Sequence, residues 1–452
     1  MSDPISFLSL ALCVIAFAVC FYCGRRALWA GFIATMTIGY FYGIVRANLD
    51  TTYIHFFYDF GAVGYFAALL VNRKSPIQRY KLRKTMPWLL ILTVWPMLLL
   101  LAPTQVFLVQ LAGLRGHIFF LPFLAVGAMI DDGEVRKIAV GLAILNCIAL
   151  AFALLEVQFG VPQFYPYNMV DQLIYRSTDV IIGGAGTFRI PAIFENSAAY
   201  GGNMSSAIPL LIGGLVQEPR RSWRRKLFYA ALGASALGVF LSASRSQALG
   251  LFLIVLAITV SGRVRNFPRF GWVAMVGFVA LVILSSARLQ RFLTLDNSRF
   301  LKTRVEGSVN EGMLKLAAEY PMGNGLGGGG TSMPYFLESQ VRHPVLIENE
   351  YGRIMLEQGL PGLAFWIAFV LWTLTRPLPR RNERWYLGRW LARVVFAIAF
   401  AFATTGTGLL TSIPGTALVL FYAGWIAAPN IIQVKRRVSA PLAPVPPELQ
   451  SA

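Results

Sequence analysis

Lysine and arginine recur along this chain in short clusters, and long apolar stretches fill the intervals between them. The clusters are Arg25–Arg26, Arg73 to Lys84, Arg136–Lys137, Arg220 to Lys226, Arg263 to Arg269, Arg376 to Arg389 and Lys435 to Arg437. Most intervals have room for two membrane crossings. Basic residues resist translocation and stay with the cytoplasmic loops, so this spacing is that of a polytopic membrane protein and sets its orientation. Composition agrees: 56% of the 452 residues are hydrophobic and only 13% are charged. A soluble domain carries about twice that share of charge. The net charge of +19 follows from topology, since well over half of the 40 Lys and Arg lie in the seven clusters. It does not point to nucleic acid, and basic clusters beside a bilayer favour anionic headgroups. Cys13, Cys20, Cys23 and Cys147 fall inside apolar stretches and read as small buried hydrophobes, with no disulfide expected.

Crossings need roughly 17 to 25 apolar residues. Candidates run over 5–23, 27–45, 54–71, 86–102, 117–130, 138–160, 198–216, 228–242, 246–260, 270–287, 354–374, 392–410 and 415–430. With each basic cluster held inside, about thirteen crossings (12 to 14) alternate without conflict, the N-terminus outside and the C-terminus inside. The expected class is all-α, because a helix bonds its own backbone polar groups in lipid. The organisation is then crossings over 1–160, an outward loop over 161–197, crossings over 198–287, a large outward loop over 288–353, crossings over 354–430 and a Pro-rich tail over 431–452. In the second loop Val309, Met313, Leu316, Ala317 and Tyr320 recur at helical spacing and predict a helix lying at the membrane surface.

Four places combine charge with an outward loop or membrane depth. GTFRIPAIFENSAAYGG (186–202) carries Arg189 and Glu195 just ahead of a crossing. In SASRSQALG (242–250), Arg245 sits in a hairpin too short to leave the membrane surface. Such a charge is costly and is retained for a partner or substrate, or else snorkels to the headgroups. Arg304 precedes the surface helix. In VLIENEYGRIMLEQGLPGL (345–363), Glu350, Arg353 and Glu357 stand at spacings that let them neutralise one another, while Glu348 lies outside that ladder. Outward guanidinium groups suit a diphosphate, which they grip with a bidentate fork. A nearby carboxylate suits the general-base role toward a sugar hydroxyl. No outward Asp-x-Asp or histidine cluster suggests a metal site, and Asp131–Asp132 beside Glu134, Arg136 and Lys137 reads as a solvated charge run. Phe164, Tyr165, Tyr167 and Tyr175 are candidates for stacking on sugar rings or for anchoring the loop at the interface.

At these segments the chain resembles the bacterial O-antigen ligase and O-antigen/exopolysaccharide polymerase superfamily. The resemblance rests on FRIPAIFENSAAYG, the SRSQALG turn, the stretch from Arg304 to YPMGNGLG, and ENEYGRIMLEQGLPGL, together spanning roughly 180–375, with LRGHIFFLP (114–122) a further match. It implies a glycosyltransferase of GT-C-like fold in the cell inner membrane, working on the periplasmic face without metal or other cofactor, on a glycan carried by undecaprenyl diphosphate. By that likeness Arg189 and Arg245 bind the diphosphate, with Arg304 a third. Glu348 stands where ligases carry a histidine, followed by Asn349, and this departure points toward a polymerase in which Glu348 activates the acceptor hydroxyl. Glu195, Asn349, Arg115 and His343 complete the expected substrate-binding set, although His343 also reads as an ordinary loop residue. Expected partners are the lipid-linked donor, a glycan acceptor, the bilayer and a chain-length regulator. The alternatives are a ligase passing the same donor to lipid A core or another acceptor, and a transporter of the lipid-linked glycan, which would place its charges near mid-membrane.

Overall fold

The computed structural model describes residues 4–168, 171, 174–175, 178–179, 187–260, 316–329, 333–334, 336–345, 347, 349–381 and 383–428. The expected crossing at 270–287, most of the surface helix, the C-terminal tail, Arg304 and Glu348 lie outside the described residues. The described chain is helical apart from one antiparallel pair, β1 (Thr178–Asp179) with β2 (Thr187–Phe188). The helices are α1 (Pro4–Arg26), α2 (Leu28–Leu49), α3 (Phe57–Val71), α4 (Pro76–Leu99), α5 (Phe107–Ile118), α6 (Pro122–Met129) and α7 (Asp132–Phe159). They continue as α8 (Ser197–Ser206), α9 (Ile208–Gln217), α10 (Trp223–Leu241), α11 (Arg245–Val260), α12 (Glu350–Leu374), α13 (Tyr386–Phe402) and α14 (Gly415–Ala427).

By length and composition, 6 stretches among the described residues can cross a membrane: Pro4–Arg26, Leu28–Leu49, Thr52–Val71, Phe107–Met129, Asp132–Phe159 and Glu350–Leu374. Their outer faces carry large apolar side chains in the open, among them Phe7, Leu70 and Phe107, as a lipid-facing surface requires. Several helices depart from the spans read in the sequence. The stretch at 198–216 is two helices that meet at Ala207, with Pro209 in the first turn of the second. The span at 117–130 extends back to Phe107 and is interrupted over 119–121 ahead of Pro122. Helix α4 begins ten residues earlier than its apolar run, at Pro76, because Ser75 and Gln78 form a capping box and the basic residues up to Lys84 ride on the helix. Helix α12 begins at Glu350, four residues before the expected crossing, so the acidic ladder occupies its first turns.

The centre is α14, buried along nearly its whole length. It lies against α6 through glycines: a Cβ on Gly127 would stand 1.9 Å from the Phe421 carbonyl oxygen, and one on Gly424 would stand 2.0 Å from that of Leu124. Small residues that let backbones touch replace the hydrophobic drive that lipid cannot supply. A buried polar chain joins α2, α7 and α10: the Tyr40 hydroxyl donates to Asn146 (2.7 Å), whose amide donates to Ser235 (2.8 Å).

The described basic clusters gather at one end. Arg25 donates to Asn72 (2.9 Å), Arg136 pairs with Glu218 (2.6 Å), Arg389 stands 3.8 Å from Asp132, and Lys81 donates to the Ile130 carbonyl (3.0 Å). Asp131, read as part of a solvated run, caps α7 by accepting from the Glu134 amide (2.8 Å). The segment 189–195 and the turn at 242–245 lie at the opposite ends of α2, α7 and α10.

Candidate functional site

The segment Arg189–Glu195 is pinned to the ends of α2 and α7. Ala192 sits at φ 52, a left-handed conformation that favours glycine. Three bonds hold it there: the Ala192 amide donates to Glu156 Oε2 (2.9 Å), and the Tyr165 hydroxyl donates to the carbonyls of Ala192 (2.7 Å) and Phe194 (2.8 Å). Gly43 of α2 lets the backbone of Phe194 pass so close that an added Cβ would stand 2.0 Å from its carbonyl carbon. Tyr165 is therefore a wholly buried post. Of the two roles open to it, stacking on a sugar is excluded because no ring face reaches solvent, and its hydrogen bonds hold the loop instead. Tyr167, 77% exposed, keeps that option.

This pinned segment reaches in two directions. At its start Arg189 Nε donates to the Ser242 carbonyl (3.2 Å). Ser242 opens the tight turn that leads to Arg245 at the head of α11, with Ala243 at φ 49. The turn is braced by its serines, Ser242 Oγ donating to the Val239 carbonyl (2.7 Å), and by Ser205 of α8 bonding Gln247 (3.0 Å). The structure thus brings Arg189 onto the turn that leads to Arg245.

At its end, Glu195 faces Arg46 Nη1 at 3.9 Å. Arg46 was missed by the sequence reading, although a lone arginine late in an apolar crossing is the kind of signal that marks a site. Its guanidinium also lies over the Tyr42 ring, 5.4 Å from the centroid. Burial pushes the Glu195 carboxyl above the usual range, while Arg46 and Arg115 pull it back. Asp171, on the preceding loop, is pushed up to about 6 by burial, with Arg46 opposing. Arg115 proves to be occupied: it grips Asp59 through Nε (2.5 Å) and Nη2 (2.6 Å), a bidentate pair within the helix bundle. The pair takes two of its five N–H donors, and the side chain is 32% exposed.

The acidic ladder is as the spacing predicts. Arg353 bonds Glu350 (2.5 Å) and Glu357 (3.4 Å). The structure adds His117 from α5, unanticipated because its partner is remote in sequence. Its Nε2 lies 2.7 Å from Glu357, and Gln358 donates to its Nδ1 (2.7 Å), which leaves Nε2 to carry the proton toward Glu357. Glu350 also accepts from the Gly408 amide (2.8 Å). Beyond this network α12 breaks at Gly359, φ 71. The freed backbone groups are taken up: the Leu356 carbonyl accepts from Asn324 (2.6 Å), the Gln358 carbonyl accepts from Trp95 (3.0 Å), and the Leu360 amide donates to Pro321 (3.0 Å). The break docks the second outward loop, which is a reason for it other than a transport pathway. Asn349 is buried as the cap of α12, its side-chain oxygen accepting from the Gly352 amide (2.5 Å). His343 lies in an exposed turn at φ 49. No protein-family model and no curated protein matches this chain.

Proposed function

We propose that the protein is an inner-membrane glycosyltransferase that polymerises undecaprenyl-diphosphate-linked repeat units at the periplasmic face, with about thirteen crossings and the basic end in the cytoplasm. The observation that carries the reading is the bond from Arg189 to Ser242, which puts one outward arginine on the turn leading to another, Arg245. Two guanidinium groups carried by adjoining segments suit the two phosphates of a lipid diphosphate.

In the reaction, the acceptor sugar hydroxyl attacks the anomeric carbon of the donor glycan. The bond from that carbon to the diphosphate oxygen breaks, and its electron pair leaves with the diphosphate. The hydroxyl proton passes to a carboxylate, the role assigned to Glu348. Arg189 and Arg245 stabilise the charge that builds on the leaving oxygen, and such preorganised donors are worth most in a water-poor site.

The test is polymer synthesis from a lipid-linked oligosaccharide by the purified protein in nanodiscs. Arg245→Ala lowers the rate by about 100-fold or more. Arg245→Lys does little better, because an ammonium lacks the planar fork. Wild-type rates in the Lys variant at equal protein level reject the assignment. Glu348→Gln abolishes chain growth and leaves donor binding intact.

A further inference from the structure

Among the described buried ion pairs of the outward-loop end, Arg46–Glu195 is the loose one. Asp59 holds Arg115 at 2.5 Å, Glu350 holds Arg353 at 2.5 Å, and Glu357 holds His117 at 2.7 Å. Glu195 stands 3.9 Å from Arg46, beyond hydrogen-bond reach, although the Arg46 side chain is only 15% exposed. The Nε of Arg46 is buried and meets no acceptor among the described residues. A guanidinium has five N–H donors, and burying them unmet is costly. Asp171 shows the complementary fault: it is 1% exposed, and neither carboxylate oxygen has a hydrogen-bond partner among the described residues. It lies within electrostatic reach of Arg46. Three charged side chains therefore converge without bonding one another.

The balance of charge selects the ligand. Arg115 is neutralised by Asp59, so the trio offers two carboxylates against one guanidinium. A phosphate here would face both carboxylates. Sugar hydroxyls suit the arrangement, since each donates to a carboxylate and accepts from a guanidinium. The loop that carries Asp171 is tied to the last turn of α2, Asn168 donating to the Ala47 carbonyl (3.0 Å) and Asn48 to the Phe164 carbonyl (2.9 Å). That places Tyr167, exposed, on the segment running beside Arg46.

We infer that Arg46, Glu195 and Asp171, with Tyr167 at the rim, form a subsite for the hydroxyl groups of a sugar unit, separate from the diphosphate end at Arg189 and Arg245. The inference deepens the proposed function and rests on it for its place in the reaction. It has its own test. The full chain in nanodiscs is probed by saturation-transfer NMR with free neutral di- and trisaccharides of hexoses and N-acetylhexosamines, and separately with inorganic diphosphate. Wild-type protein binds a subset of the sugars. Arg46→Ala and Glu195→Gln weaken that binding about 10-fold or more, in the range for a hydrogen bond to a charged group. Arg46→Ala leaves diphosphate binding unchanged. Glu195→Gln, an isosteric change at a side chain 21% exposed, serves if Arg46→Ala does not fold. Absence of sugar binding in the wild type, equal binding by the variants, or loss of diphosphate binding in Arg46→Ala overturns the subsite. Sugar binding by a protein that consumes no lipid-linked donor keeps the subsite and rejects the transferase. Turnover with unaltered sugar binding in both variants does the reverse.

Discussion

Arg46, Arg115 and Arg353 are all arginines in apolar helices, and only their partners distinguish them. Arg115 and Arg353 are closed into hydrogen-bonded pairs with Asp59 and Glu350, and Arg46 is not. Removing one member of a closed pair strands its partner, so such residues are expected to report on folding rather than on a ligand. Asp171 carries a pH signature. Its carboxyl is raised from 3.8 to about 6 by burial, so the folded protein keeps a proton that the unfolded chain has already lost between those values. Stability contributed at this site is therefore fully present below about pH 4 and falls as pH rises toward 6. Asp171→Asn should remove that decline and raise the thermal midpoint at pH 7, read by scanning fluorimetry at several pH values. An unchanged pH profile counts against a buried, unpartnered carboxyl.

At the scale of elements, the site is built by clamps at strained turns. Ala192 and Ala243 both adopt left-handed conformations at the two segments that meet through Arg189. Glu156 supplies the acceptor for the Ala192 amide, and its loss leaves a buried donor unmet at a cost of about 1–3 kcal/mol. Glu156→Ala should lower the thermal midpoint and speed hydrogen exchange across 189–195, whereas Glu156→Gln, which keeps an acceptor, should not. Ala192→Gly should partly rescue Glu156→Ala, because glycine holds a positive φ without help. Failure of that rescue would mean the carboxyl acts through packing instead. The loop over 321–324 depends in the same way on a break, at Gly359: its Asn324 amide donates to the Leu356 carbonyl, and its Pro321 carbonyl accepts from the Leu360 amide.

Among the described residues, the basic clusters lie at one extremity and the arginine–carboxylate pairs at the other. Orientation is tested by cysteine labelling with an impermeant reagent. Lys81 and Gly328 lie in regions of opposite expected sidedness but are both buried, so exposed Arg83 and Met322 are the better positions. Met322→Cys should label from outside intact spheroplasts and Arg83→Cys only after permeabilisation. The opposite pattern inverts the proposed topology. Hydropathy made most helices legible: the spans at 5–23, 27–45 and 138–160 match α1, α2 and α7 closely, because a crossing is defined by its own composition. It failed at 198–216, where Pro209 breaks an apolar run, and at α4, where a capping box extends a helix into basic residues.

The sequence by itself determined the helical class and the Glu350–Arg353–Glu357 ladder, since each depends on neighbours within a few residues. Tertiary structure alone decided which charges are spent and which remain open. His117 finds Glu357, Arg115 finds Asp59, and Arg46 is left facing Glu195 across 3.9 Å. Those pairings join residues far apart along the chain, and no local pattern encodes a distance that only helix packing sets.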